Sequence, residues 1–183
     1  MSYDAALKKA WEDLEKIADA PSYSVSLLGD TYEVNRKEKL VLSNSCNIPA
    51  KEYLAILILH YLVGSLENKY APCGEWVSFK DIEGGEIYYP AYKEGVIAHL
   101  LKKYGRNPEG LLSVLERFSG NRVDASDTAI ELVTFPDIRV RIIVWKADEE
   151  FPPEATVLFD KNLSKLYTME DISVFSHVVV NSI

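Results

Sequence analysis

The sequence predicts an α+β fold in a single domain, with an antiparallel sheet made of a C-terminal strand meander plus an N-terminal hairpin and packed with about five helices. Three observations carry this. Apolar residues at helical spacing recur through much of residues 2–118, and β-branched runs replace them from residue 127 onward. The connections at 135–137 and 146–154 are too short for the crossover helices that parallel strands require. At 183 residues the chain has the length of one domain with a substantial core.

The first element, residues 2–18, is an amphipathic helix: Leu7, Ala10, Trp11, Leu14 and Ile17 recur at helical spacing, with charged residues between them. Thr31–Val34 and Lys39–Leu42 bracket the polar Asn35–Glu38 as the two strands of a hairpin. Pro49 suits the first turn of a second helix, apolar on most of its circumference, that runs to Leu62 and stops at Gly64. Ala91–Tyr104 is a further helix closed by Gly105, and another starts at Pro108 and ends at Gly120. Thr128–Thr134 and Ile138–Trp145 are strands joined tightly through Phe135-Pro136-Asp137. Arg139 and Arg141 alternate with Val140 and Ile142, which gives the second strand one wet face. Ala155–Phe159 is a third strand. Thr168 followed by Asp171 has the spacing of a capping box, so Met169–Asn181 reads as a helix, although Val178-Val179-Val180 would also suit a strand.

Composition narrows the function classes. A formal charge of −8 repels phosphate backbones and anionic membrane surfaces, so no nucleic acid and no membrane are expected as partners. The apolar run Tyr53–Val63 is about half the ~20 residues that a membrane span needs. Two cysteines, Cys46 and Cys73, without a leader-type segment, point to the reducing cytoplasm; a single bridge between them stays open.

No catalytic signature is present: no nucleophile elbow, no Walker loop and no dinucleotide fingerprint. His60, His99 and His177 never share a one-turn spacing, and Cys46 and Cys73 lack the Cys-x-x-Cys spacing, so no metal is expected and each histidine reads as buried or half-buried scaffold. His60 stands out, because an imidazole in the apolar centre of a helix needs a backbone partner or a ligand. Gly84-Gly85 reads as a turn with no helix N-terminus following it.

Two stretches remain. Residues 74–92 hold Trp76, Phe79, Tyr88, Tyr89 and Tyr92 among Glu75, Lys80, Asp81 and Glu83, as either an aromatic-pinned scaffold loop or an apolar pocket with a few orienting charges. Residues 145–160 gather Asp148, Glu149, Glu150, Glu154 and Asp160, as either a solvated loop or a cation- or ligand-orienting one. The two stretches are expected to meet and line the same concavity: Trp76 and Trp145 form its apolar wall, and Asp148, Glu149 and Asp160 face Lys80.

Gly74-Glu75-Trp76-Val77-Ser78-Phe79 with Gly84-Gly85 and Tyr88, the helix ending His60-Tyr61-Leu62, and Trp145 to Pro152 followed by Leu158-Phe159-Asp160 resemble the family catalogued as domain of unknown function 3786. The resemblance runs from about residue 50 to the C-terminus. It implies an anaerobic bacterial or methanogen setting, and a possible redox or corrinoid protein partner by association. Longer members carry a four-cysteine iron-sulfur segment. This chain has none, so no iron-sulfur centre or other cofactor is expected.

The function expected is a non-catalytic small-molecule-binding or accessory module. Two alternatives stand beside it: an enzyme using a carboxylate of the 145–160 loop, and a protein-binding adaptor. The residue pattern leaves the catalytic residues and the oligomeric state open.

Overall fold

The computed structural model describes residues 3–125 and 127–183, and the expected helix start at residue 2 lies outside the described residues. The fold is a single α+β domain with two antiparallel sheets, not the one sheet expected. The N-terminal sheet has the order β1-β2-β3-β4, with β1 Ser22–Leu27, β2 Asp30–Asn35, β3 Leu40–Ser43 and β4 Ile48–Pro49. The expected hairpin is β2–β3. β1 escaped the sequence reading because Ser22, Ser24 and Ser26, weak strand formers, occupy alternate positions, while Val25 and Leu27 turn into the core. Leu28 and Gly29, at φ 50° and 78°, make the two-residue turn into β2. The left-handed Leu28 is pinned by its amide, which donates to the Thr134 carbonyl at 2.8 Å and ties this turn to the second sheet.

Helix α1 is Asp4–Glu15, buries Ala10, Trp11 and Leu14, and packs on α2, Glu52–Leu66. Pro49 belongs to β4, so α2 starts later than its proline suggested, and it passes through Gly64, on which Leu166 packs, to end at Leu66. The expected stop fails: Gly64 stays within the helix, covered by the partly buried Leu166. Eight consecutive positions, 55 to 62, include only His60 as a residue not buried. Each large side chain so buried contributes about 1.5–3 kcal/mol of transfer free energy, which fixes α2 at the centre of the molecule.

The second sheet has the order β5-β9-β8-β7-β6: β5 Trp76–Ser78, β6 Gly120–Arg122, β7 Thr128–Val133, β8 Arg139–Trp145 and β9 Glu154–Asp160. Val77, Phe159, Val140 and Leu132 lie opposite one another across four strands and face the core; Trp76, Arg141 and Glu131 lie on the other face. The alternation read in β8 is therefore real. Between β5 and β6 run a 3₁₀ turn at Phe79–Asp81, α3 Gly85–Tyr92, a π-turn at Lys93–Ile97, α4 Ala98–Tyr104, and a 3₁₀ turn at Pro108–Ser113 leading into α5 Val114–Arg117. The Gly84-Gly85 turn does open a helix. Gly84 has φ 80°, and a Cβ on Gly85 would sit 1.9 Å from the Phe79 carbonyl oxygen, so this close approach requires glycine. After β9 come the short α6, Leu163–Leu166, and α7, Met169–Ser182, which packs on α2. The capping box at Thr168 and Asp171 is formed, and it decides for helix over strand at Val178–Val180.

Candidate functional site

The strand register locates the residues expected to form a site. Trp76 lies opposite Asp160 and Trp145 opposite Glu154, on the same face of the sheet but at opposite ends of β9. Six residues of strand separate them, about 20 Å at a rise of ~3.3 Å per residue. The shared concavity does not form. The two stretches meet only through β5 and the end of β9, because antiparallel pairing brings residues 76–78 to residues 158–160 and sends the 146–153 loop to the far end.

Three of the four charged candidates have local partners. Asp160 is buried and accepts hydrogen bonds from the amides of Cys73 at 2.9 Å, Gly74 at 2.7 Å and Asn162 at 2.9 Å. Burial pushes its carboxyl up, but these amides outweigh burial and hold it below the usual carboxylate range. Asp148 accepts from the amides of Glu150 and Phe151 at 2.9 and 2.7 Å and so closes its own loop; Glu149 is exposed. Lys80 does not face these carboxylates: its ammonium stands over the Tyr89 ring, 4.1 Å from the centroid. Trp76 carries the Arg141 guanidinium at 3.9 Å, and Arg141 donates to Glu131 at 2.8 Å. Within the 74–92 stretch Phe79 and Tyr92 stack at 4.0 Å.

Two concavities border this stretch itself: one of about 480 Å³ lined by Val77, Asp81, Ile82 and Glu83, and one of about 560 Å³ lined by Phe79, Tyr88, Tyr92 and, from α7, Met169 and His177. The principal groove, about 650 Å³, runs between the β1–β2 turn, the start of α2 and the last turns of α7. Tyr3, Tyr32, Tyr53 and Phe118 supply aromatic wall, and Asp30, Arg117, His177 and Asn181 supply polar groups. Asp30 is fixed by the Thr31 amide at 2.8 Å and the Ser43 hydroxyl at 2.6 Å. Burial, then the neighbouring Asp30, pushes the Tyr32 phenol up to about 12, so it stays protonated as a donor at neutral pH. His177 is half-buried against the π-turn, where a Cβ on Gly95 would come within 2.4 Å of its ring, and burial followed by His99 pulls it below the usual histidine value. His99 itself is exposed, contrary to its expected buried or half-buried position.

A lateral groove of about 390 Å³ shares Tyr3, Tyr53 and Val174 with the principal one. Here the partner that His60 needs is Asp171, whose Oδ1 is 3.1 Å from His60 Nδ1. The other carboxylate oxygen of Asp171 accepts from the Thr168 amide at 3.0 Å and the Thr168 hydroxyl at 2.7 Å. Burial pushes Asp171 up, yet the hydrogen bonds of His60 and Thr168 prevail and hold it below its ordinary value. Each residue carries its own signal in the sequence, an unpartnered imidazole and a capping box, but nothing there joins positions 111 residues apart.

Cys46 and Cys73 are both free and exposed. Among the described residues no group of three or more His, Cys, Asp or Glu is placed to hold a metal ion, and no helix is long and apolar enough to cross a membrane. Residues 8–182, nearly the whole chain, match the family described as Domain of unknown function (DUF3786). No curated protein and no solved structure matches the chain.

Proposed function

We propose that this chain, which belongs to the DUF3786 family, is a small-molecule-binding module whose ligand occupies the principal groove. The observation that carries the reading is the groove's construction: about 650 Å³ of space, walled by aromatic rings and furnished with a few fixed polar groups, which is how sites for small organic ligands are built. Asp30 is positioned by its own hydrogen bonds, and Arg117 stands over the Phe118 ring at 4.8 Å. A flat, partly apolar molecule with an acidic group toward Arg117 fits this chemistry. The alternative of a carboxylate enzyme is weakened for Asp160, because both of its oxygens already accept from backbone amides. Service to anaerobic redox or corrinoid metabolism in the cytoplasm, which the family resemblance implies, remains part of the proposal.

Native mass spectrometry of protein isolated without oxygen from its own host tests this. A retained small molecule is expected, and Asn181→Trp, which fills the groove from an exposed position on α7, should reduce its affinity at least about tenfold, equivalent to ~1.4 kcal/mol. Arg117→Glu should do the same for an acidic ligand. Full occupancy in both variants would refute this location. A stoichiometric protein partner in place of any small molecule would favour the adaptor reading, with Ile87 and Tyr88, 78% and 60% exposed on α3, as the first contacts to examine.

A further inference from the structure

We infer that His60 and Asp171 form an acid–base dyad that activates a water molecule against a small uncharged ester seated in the lateral groove. The inference rests on this second groove and not on the reading of the principal one.

Four observations lead to it. The Nδ1 of His60 is engaged by Asp171, which sets the neutral ring in the tautomer with its proton on Nδ1 and leaves the lone pair on Nε2. That second nitrogen has no protein partner among the described residues and is not among the buried unsatisfied atoms, on a side chain 30% exposed that lines the groove. Asp171 is buried, with 8% exposure, and is held from behind by Thr168, so the imidazole is oriented by a group that is itself fixed. This is the arrangement of a base with an orienting carboxylate. Lys9 lines the same groove and makes no ion pair among the described residues.

The other charges around the dyad define the substrate. Asp13 faces it from α1 beside Lys9, Glu170 from α7, and Lys69 from the segment after α2, paired to Glu67 at 2.5 Å. Asp13 and Glu170 oppose an anionic substrate, while Ile56, Val63, Leu166 and Val174 give the groove apolar walls. An uncharged acyl compound satisfies both. In the step, Nε2 takes a proton from water as the water oxygen bonds to the acyl carbon, and the carbonyl electron pair moves onto oxygen, where the Lys9 ammonium can offset the new charge. The adduct collapses with cleavage of the bond to the leaving alkoxide, which receives the proton from Nε2. Ester and water become acid and alcohol. His60 is the catalytic residue, and Asp171 is a positioning residue.

The probe is p-nitrophenyl acetate. Saturable hydrolysis above the rate of an equal concentration of free imidazole is expected, and His60→Gln should lower kcat about 100-fold, the low end of general-base contributions. Lys9→Met, on an exposed position, should lower kcat with KM little changed. Asp171→Asn should lower kcat and, in ¹⁵N spectra of the His60 ring, abolish the preference for the Nδ1-protonated form, a change that a purely helix-capping role would not produce. A rate no greater than free imidazole, or His60→Gln with the wild-type rate, would overturn the inference. Should Asp171→Asn fail to fold, the His60 and Lys9 variants still decide. Ligand retention in the principal groove is read separately, so either reading can fail without the other.

Discussion

Asp160→Ala is expected to destabilise the protein by about 3–4 kcal/mol at neutral pH, since hydrogen bonds to a charged group contribute ~1.5–3 kcal/mol each and are not additive. Asp160 is 5% exposed and gathers the amides of Cys73, Gly74 and Asn162, with the Cys73 thiol at 3.4 Å. It therefore clasps the segment entering β5 and the turn leaving β9 to the same strand end. Loss of the carboxylate frees all three amides. The effect falls short of the simple sum because Cys73 and Gly74 are exposed and water can replace part of what is lost. The pH dependence follows from the direction of the shift. Asp160 sits below its ordinary value of 3.8, so its contribution is fully present above the unfolded-state value and is lost as pH falls through the lower folded-state value. Urea unfolding should show a constant gap between wild type and variant near pH 7 and a narrowing one below pH ~4. A gap under about 0.5 kcal/mol at pH 7, within the effect of an ordinary surface substitution, would remove Asp160 from this role and reopen it as a functional carboxylate.

Asp160 also shows where sequence reading stopped. An acidic residue at a strand end beside aromatic and glycine-rich segments has the composition of a site, and composition cannot tell whether its acceptors are satisfied from within. The elements themselves were largely legible. Periodicity marked α1, α2, β7, β8 and β9, and the Thr168–Asp171 spacing marked α7, because local pattern and burial agree there. Local pattern fails where tertiary contact decides. β1 alternates serines with core residues, Gly64 stays helical under Leu166, and Gly85 opens a helix at a position where the Phe79 carbonyl leaves no room for a Cβ. The candidate site was legible only in fragments. His60 stands out in the sequence as needing a partner, but Asp171 has a sufficient local role there as a capping residue, and the principal groove is assembled from the β1–β2 turn and the end of α7, elements about 150 residues apart that carry no motif.

The same lesson applies to Phe135, which reads as part of a tight connection and is one of the most deeply buried side chains in the molecule. Phe135→Ala is expected to cost about 3–5 kcal/mol, the range for deleting a fully buried aromatic ring. The ring stacks on Tyr61 at 4.0 Å and an interplanar angle of 14°, and lies 6.1 Å from Phe175, which in turn contacts Tyr167 at 5.9 Å. Tyr61 belongs to α2 and Phe175 to α7, so the β7–β8 connection is wedged between the two helices that carry His60 and Asp171. Asp137, in the same connection, accepts from the Tyr61 hydroxyl at 2.8 Å and fixes that ring from its polar end. His60 and Tyr61 are neighbours in sequence but point about 100° apart around the helix: one faces the lateral groove, the other the sheet. A cavity at Phe135 would loosen the seating of α2 on α7 before it reached the His60–Asp171 hydrogen bond. Urea unfolding of Phe135→Ala, Tyr61→Leu and the double variant should therefore show a coupling of about 0.5–1.5 kcal/mol for the stacked pair. The His60 ring signals in Phe135→Ala should broaden toward a mixture of tautomers while the protein remains folded. A cost below about 1.5 kcal/mol, less than transfer of the ring alone, would mean that α2 and α7 hold their positions without this wedge.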